Sequence, residues 1–347
     1  NFANARADGS DLRFLDAATL SFLPHWYDSA DYDSVGQTAT FYIKIASLPN
    51  GGTYDFYIYY GNAGAMDGSN YTGAFTFVGE SGVTADDVTH NWETDNFSGT
   101  YAAPPVLVAE MNAFDGSQEA HTRTRNVTNT SFQSAIEESV ERDGGHTTEP
   151  VGYVAMIEGD WIIGGKRFEA SYQNNIDDGY SNISHNFNFG ASPGIVARSV
   201  TDNNYFTSTD DDPGNGSSHT RIKSNNPNNF RLQIERCDDN ESPNLAGETV
   251  AVIAAEAGIG DSTLDMGMEI LNTTRDDSWN TYNYTESFTG TPAVIPQIVS
   301  ESENDAVHMR LQNIGAVNME HKIEEYYNGN AHGFEDVTLM MFDQGLI

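Results

Sequence analysis

His121-Thr122-Arg123-Thr124-Arg125 leads to Phe132 and then Ile136-Glu137. His219-Thr220-Arg221-Ile222-Lys223 leads to Phe230 and Ile234-Glu235, and His308-Met309-Arg310-Leu311-Gln312 leads to Met319 and Ile323-Glu324. The three segments align without a gap. A Pro-led apolar run precedes each, at 105–109, 193–197 and 292–296, and a run opened by an acid follows each, from Glu149, Glu248 and Glu335. Self-similarity at this period decides the architecture before any single motif is weighed, because each copy is one supersecondary unit.

Within a copy the pattern is that of strands. Phe132/Ser134/Ile136, Phe230/Leu232/Ile234 and Met319/His321/Ile323 alternate onto one strand face. Residues 155–157 and 252–255 are continuously apolar, as central strands are. Upstream, Asp86-Asp87 with His90-Asn91-Trp92, Asp177-Asp178 with His185-Asn186-Phe187, and Asp276-Asp277 with Tyr282-Asn283-Tyr284 read as one recurring order. The expected fold is all-β: an N-terminal β-domain over 1–79, then three tandem antiparallel six-stranded β-sandwiches over 80–172, 173–271 and 272–347. The third stops where the others run on into a further strand, so it is expected to lack its last strand, and both chain ends read as cut or completed by a neighbour. In the N-terminal unit, residues 40–45 and 54–60 read as a hairpin about a 49–52 turn. Asn1 in place of an initiator Met fits a removed leader or a chain that starts further upstream.

Charge narrows the function classes. Against 51 acidic residues stand 16 basic ones, a net of −35, and lysine occurs only at 44, 166, 223 and 322. Such a surface repels nucleic acid and anionic lipid. No apolar run is long enough for a membrane helix. The dispersed acids point to a halophilic source, where salt screens self-repulsion; the alternative is calcium binding. Asp210-Asp211-Asp212 is the oxygen-rich candidate for Ca²⁺, without EF-hand spacing, and no other cofactor is indicated. Cys237 is the only cysteine, which excludes an internal disulfide and leaves a small buried hydrophobe as its role. Asn-X-Ser/Thr acceptors stand at Asn70, Asn96, Asn126, Asn129, Asn182, Asn215, Asn240, Asn272 and Asn283, which fits a glycosylated exported protein.

Two resemblances add to this. Asp8-Gly9-Ser10-Asp11-Leu12-Arg13-Phe14, Leu23-Pro24-His25-Trp26 and Tyr59-Tyr60-Gly61-Asn62 resemble an uncharacterised β-domain of exported archaeal and bacterial surface proteins. Pro104-Pro105-Val106, Arg123-Thr124-Arg125-Asn126, Phe132 and the run from Glu149 to Ala155 are similar to H-type lectin domains, with the other two copies weaker but in register. That resemblance implies a six-stranded sandwich, frequent trimerisation and binding of N-acetylgalactosamine-like sugars. The family's sugar-contacting Arg belongs near Glu119, and its aromatic near Ser139 and Val140 is replaced, so fold transfers better than specificity.

Of the chemistry-bearing residues, the Asp pairs with Trp92, Phe187 and Tyr284 suit sugar recognition, carboxylates accepting from hydroxyls and aromatic faces covering C–H groups. A recurring aromatic is equally a core residue, and Trp92 is expected to be buried. Arg123, Arg221 and Arg310 could hold a sugar hydroxyl, or pair within their own copies with Glu149, Glu248 and Glu335. Seven histidines recur at matched places, His90/His185, His121/His219/His308 and His146/His332, as duplicated residues of a duplicated fold do. Nucleophile elbow, phosphate loop and dinucleotide fingerprint are all absent from the sequence, so no enzymatic activity is expected. The expected protein is extracellular, at a cell or virion surface: an adhesion or recognition fibre carrying repeated weak glycan sites. The alternative is a structural subunit of a filament or virion appendage that self-associates by strand addition or trimerisation.

Overall fold

The structure, a computed structural model, describes residues 4–27, 33, 38–45, 53–69, 74, 76–139, 142–205, 217–237, 245–260, 267–303, 305–326 and 332–347. The protein is all-β, and each strand pairing is antiparallel. Two compact units divide it, Asn1–Phe77 and Val78–Ile347. Among the described residues no helix is long and apolar enough to cross a membrane.

In the first unit, β1 (Arg13–Asp16) lies between β2 (Phe22–Leu23) and β5 (Phe56–Tyr59), while β3 (His25–Trp26) pairs with β4 (Tyr42–Ile43). The expected hairpin of 40–45 with 54–60 does not form. Its two halves pair with different strands, β4 with His25–Trp26 and β5 with Arg13–Asp16. The turn expected over 49–52 lies outside the described residues. Phe14 anchors this unit, buried against His25, Phe41 and Phe56.

The second unit repeats one six-strand pattern. Copy 1 runs β6 (Gly79–Val83), β7 (Glu93–Asn96), β8 (Val106–Met111), β9 (Ala120–Arg125), β10 (Ser131–Glu138) and β11 (Val151–Met156), and then β12 (Gly159–Ile163) leaves it. Copy 2 runs β13 (Lys166–Ile176), β14 (Ser181–Ser184), β15 (Gly194–Ser199), β16 (Ser218–Asn225), β17 (Asn229–Arg236) and β18 (Glu248–Ala255), followed by β19 (Gly258–Ile259). Copy 3 runs β20 (Met268–Arg275), β21 (Asn280–Asn283), β22 (Ala293–Ile298), β23 (Val307–Gln312), β24 (Asn318–Glu325) and β25 (Glu335–Phe342), followed by β26 (Gly345–Leu346). The division points expected at 173 and 272 fall inside β13 and β20, so by strands the copies begin at 166 and 268.

Each copy has an outer three-stranded sheet, β7-β10-β9, β14-β17-β16 or β21-β24-β23. Each also has an inner four-stranded sheet whose edge strand comes from the copy before it. β12 supplies copy 2 (β12-β13-β18-β15), β19 supplies copy 3 (β19-β20-β25-β22), and β26 returns to copy 1 (β26-β6-β11-β8). The copies therefore close into a ring. The strand that copy 3 was expected to lack is β6, on which β26 pairs as Gly345↔Ser81 and Leu346↔Glu80.

The inner strands show why the ring closes. Along β18, Val250, Val252 and Ala254 face the core of copy 2, while Ala251, Ile253 and Ala255 face a second core. β25 divides in the same way, Val337, Leu339 and Met341 to one side and Met340 and Phe342 to the other. The second core also takes Val106, Val108, Val154, Val196 and Ile295, so all three inner sheets share it. A strand buried on both faces reads as an unbroken apolar run, which is the run the sequence shows. Each such Val, Leu or Ile contributes about 1.5–3 kcal/mol by leaving water. The outer strands, with one face wet, alternate instead: β24 is buried at Met319, His321 and Ile323 and only half-buried between them.

Candidate functional site

The apolar centre of the ring ends in a polar layer. Glu110, Arg198 and Gln297 hold one position on β8, β15 and β22; Arg198 meets Glu110 at 2.9 Å and donates to Gln297 at 2.7 Å. Beyond it lie His121, His219 and His308 about the ring of Tyr326, at centroid distances of 5.6, 5.0 and 4.3 Å. Cys237 is fully buried beside them, with its sulfur 3.3 Å from His219 Nδ1. Burial pushes the thiol up and pushes His219 down to about 4, so the neutral forms of both are favoured and Cys237 is not an activated thiolate. A cavity of about 30 Å³ remains there, room for a couple of waters and too small for a sugar.

Arg123, Arg221 and Arg310 are fully buried. Each meets the acid across its own outer sheet, Glu137 at 3.4 Å, Glu235 at 3.7 Å and Glu324 at 3.5 Å. The second acid comes from the next copy: Arg123–Glu248 at 2.9 Å, Arg221–Glu335 at 3.0 Å and Arg310–Glu149 at 3.8 Å. Pairing inside one copy, the expectation for Glu149, Glu248 and Glu335, is corrected to pairing between copies. The same acids also cap loops of their own copies, as where Glu149 accepts from Asp115 N and Gly116 N. These arginines join copies, and burial puts them out of reach of a ligand.

Strand register corrects the Asp pairs. Phe132, Phe230 and Met319 lie opposite Asp95, Ile183 and Tyr282, so Trp92 corresponds to Tyr180 and Trp279, not to Phe187 and Tyr284. By the same count His185 corresponds to buried Phe97, and exposed His90 has no matched histidine. Thr89, Asp177 and Asp276 are the equivalent set; their carbonyls accept from Ile136, Ile234 and Ile323. Their side chains each accept from the amide two residues on, in Asn91, Gly179 and Ser278, which makes them turn formers. Asp178 and Asp277 are exposed beside those turns, and exposed Asp86 and Asp87 lie just upstream of the first.

Register also exposes a recurrence that sequence spacing hid. At the boundary of copies 1 and 2, half-buried Trp92 carries Arg125 4.1 Å above its ring and Tyr205 of copy 2 at 4.7 Å, while Arg125 pairs with Asp202 at 2.6 Å. At the boundary of copies 2 and 3, Tyr180 lies under Lys223 at 4.8 Å and Arg231 at 4.9 Å, and Lys223 pairs with Glu301. Where copy 3 meets copy 1, Trp279 meets Phe114 edge-on at 5.4 Å and Lys322 lies 5.1 Å above Trp279. Open grooves run beside the first two clusters. One of about 500 Å³ is lined by Asn126, Asn174, Thr201 and Thr249, and one of about 640 Å³ by Ser192, Asn225, Asn272, Thr273 and Ser300. The amides and hydroxyls that line these grooves suit a polyhydroxyl ligand. Trp92, expected to be buried, is half-buried.

Asn96, Asn126, Asn129, Asn182, Asn272 and Asn283 are exposed. Asn70, Asn215 and Asn240 and the calcium candidates Asp210, Asp211 and Asp212 lie outside the described residues.

Residues 8–95 match a family described as a domain of unknown function (DUF2341), which agrees with the resemblance seen at Asp8-Gly9-Ser10-Asp11 and extends past the first unit into β7. The chain is similar to halomucin of Haloquadratum walsbyi (strain DSM 16790 / HBSQ001), 30% identical over 141 residues, which is 38% of this chain and 2% of that protein. The chain thus spans a small fraction of the length of this curated relative. No solved structure matches it.

Proposed function

We propose that residues 78–347 form a non-enzymatic recognition module of an extracellular surface protein, and that glycans lie in the grooves between copies against the aromatic–cation clusters. The observation that carries this reading is the recurrence of an aromatic–cation cluster at all three boundaries. The chain has 16 basic residues, and Arg123, Arg125, Arg198, Arg221, Lys223, Arg231, Arg310 and Lys322 all stand at these boundaries. The similarity to halomucin supports a surface protein, and the acidic composition supports solubility in high salt. Several weak sites in one chain would add through avidity.

A glycan array run in high salt tests this. Saturable binding that falls at least tenfold in Trp92→Ala and is unchanged in Asp86→Ala/Asp87→Ala is expected. Binding to no glycan would remove the reading.

A second reading, a structural subunit of a surface assembly, has one observation in its favour. β5 pairs only with β1 among the described strands, and Phe56, Tyr57, Ile58, Tyr59 and Tyr60 are 38–53% exposed. An apolar edge of this kind is a template for strand addition. Concentration-dependent association abolished by Ile58→Lys would support it. Strand addition at the open ends of the copies has less behind it, because β26 already occupies the edge at β6.

A further inference from the structure

His146 in copy 1 and His332 in copy 3 hold one position, each three residues before the acid that reaches the neighbouring copy's arginine. In copy 2 that position is buried Leu245, three residues before Glu248. His146 lies between two carboxylates, Glu138 at 3.0 Å from Nδ1 and Glu149 at 3.2 Å from Nε2. His332 keeps both counterparts, Glu325 at 3.3 Å from Nδ1 and Glu335 at 3.3 Å from Nε2, and adds Glu303 at 3.5 Å from Nδ1. Glu303, Asp305, Glu325 and His332 each place one donor atom within 4.8 Å of the others. Copy 1 has Gly116 where copy 3 has Glu303, counted from the start of the shared loop, and Gln118 where copy 3 has Asp305.

In the copy 3 arrangement three carboxylates share the one imidazole of His332. Among the described residues, no Lys or Arg forms an ion pair with Glu303, Asp305 or Glu325. Glu335 already receives Arg221 and the Ser302 amide, and with an Nε2–H directed at it the His332 Nδ1 lone pair points at carboxylate oxygens. A carboxylate that fixes the outer nitrogen of a ligating histidine is the usual second partner of a metal site. The spacing also fits: donors around a tetrahedral ion with bonds of about 2.0–2.1 Å stand about 3.4 Å apart, close to the 3.3 and 3.5 Å that separate Nδ1 from Glu325 and Glu303. Glu325 and His332 are buried and Glu303 and Asp305 exposed, a fixed floor with an open face for entry.

We propose that Glu303, Asp305, Glu325 and His332 bind one divalent transition-metal ion, with zinc the best match to one imidazole nitrogen and three carboxylate oxygens. The ion ties the loop after β22 to the end of β24. Through His332 and Glu335 it also steadies the Arg221 pair between copies 2 and 3.

The test is a calorimetric titration of the chelator-treated full chain with zinc in high-salt buffer. Exposed acids throughout the chain will bind zinc weakly, so the readout is a single tight equivalent. We expect it in the wild type and in the control Glu286→Gln, and its loss in Glu303→Gln/Asp305→Asn, whose exposed positions leave the fold intact by circular dichroism. Cobalt substitution should give a visible absorption band that the double variant lacks. No tight equivalent in the wild type, or the same equivalent in the double variant, would overturn the proposal.

Discussion

The boundary between copies 1 and 2 and the boundary between copies 3 and 1 use the same residues with unequal success. At the first, Arg123 reaches Glu248 at 2.9 Å, and β12 pairs with β13 over its full length from Gly159 to Ile163. At the closing boundary Arg310 is 3.8 Å from Glu149, β26 contributes only Gly345 and Leu346 to β6, and Arg310 donates instead to the carbonyls of Gly116 and Gln118 under the ring of Phe114. Covalent continuity accounts for the looser ion pair but not for the strand length, since β19 leads straight into β20 with only two residues. A hairpin that leads straight from one copy to the next holds its partner at a high local concentration, whereas the chain end must find β6 across the whole length of the unit. The junction that shuts the ring is thus the one with the longest ion pair, and its linking strand is as short as β19 at the boundary of copies 2 and 3.

Arg123→Ala should have the largest effect. It leaves Glu137 and Glu248 buried without their common cation, a loss of about 3–5 kcal/mol in urea unfolding. Arg310→Ala should lose less, about 2–3 kcal/mol, because its pair with Glu149 is longer, 3.8 Å against 2.9 Å for Arg123 with Glu248. Equal losses would show that the two boundaries are equivalent after all.

Removing residues 345–347 comes next. It deletes the bonds from Val78 N and Gly79 N to Ile347 O and from Ile347 N to Gly79 O, and exposes the β6 edge. At about 1 kcal/mol each the loss is about 3 kcal/mol, and light scattering should show association of the truncated chain. An unchanged midpoint and a monodisperse truncated chain would mean that β26 does not close the ring.

The shared centre gives a pH prediction. Burial holds His219 at about 4 against an ordinary 6.5, so the neutral form is favoured in the fold and the unfolded chain takes up the proton first. Its contribution is full above pH 6.5 and is lost as the pH falls toward 4, about 3 kcal/mol in all. His146 works in the opposite direction, since in spite of burial Glu138 and Glu149 pull it up. The comparison of wild type with His219→Gln is therefore the measurement: the variant should lose less stability between pH 7 and 4. The smallest effect belongs to Trp92→Ala, about 1 kcal/mol from the lost contact with Arg125, with no matching loss in Asp86→Ala.

Much of this was legible in the residues. The gapless His–Arg–Ile-Glu recurrence gave the number of copies, and the apolar runs at 155–157 and 252–255 marked central strands. What those runs faced could not be read, because a strand buried by its own sandwich and one buried by two neighbouring sandwiches have the same pattern. Partner choice was hidden for the same reason: Glu149 and Glu248 stand at equivalent positions, and only the ring decides that Arg123 takes the second. The aromatic sets were misgrouped because the segment before β7 and the segments before β14 and β21 differ in their spacing to the Asp pairs. Trp92, Tyr180 and Trp279 correspond by hydrogen-bond register. The signal that could have found them was the single aromatic just ahead of each short polar strand, 93–96, 181–184 and 280–283.

Residue-resolved hydrogen exchange on the full chain tests ring closure most directly. Closure predicts that the amides of Val78, Gly79 and Ile347 are as protected as those in the middle of β11 and β18, exchanging only when residues 78–347 unfold as one. Rapid exchange at those three amides while β11 and β18 stay protected would contradict it, leaving an open row of sandwiches in place of a ring.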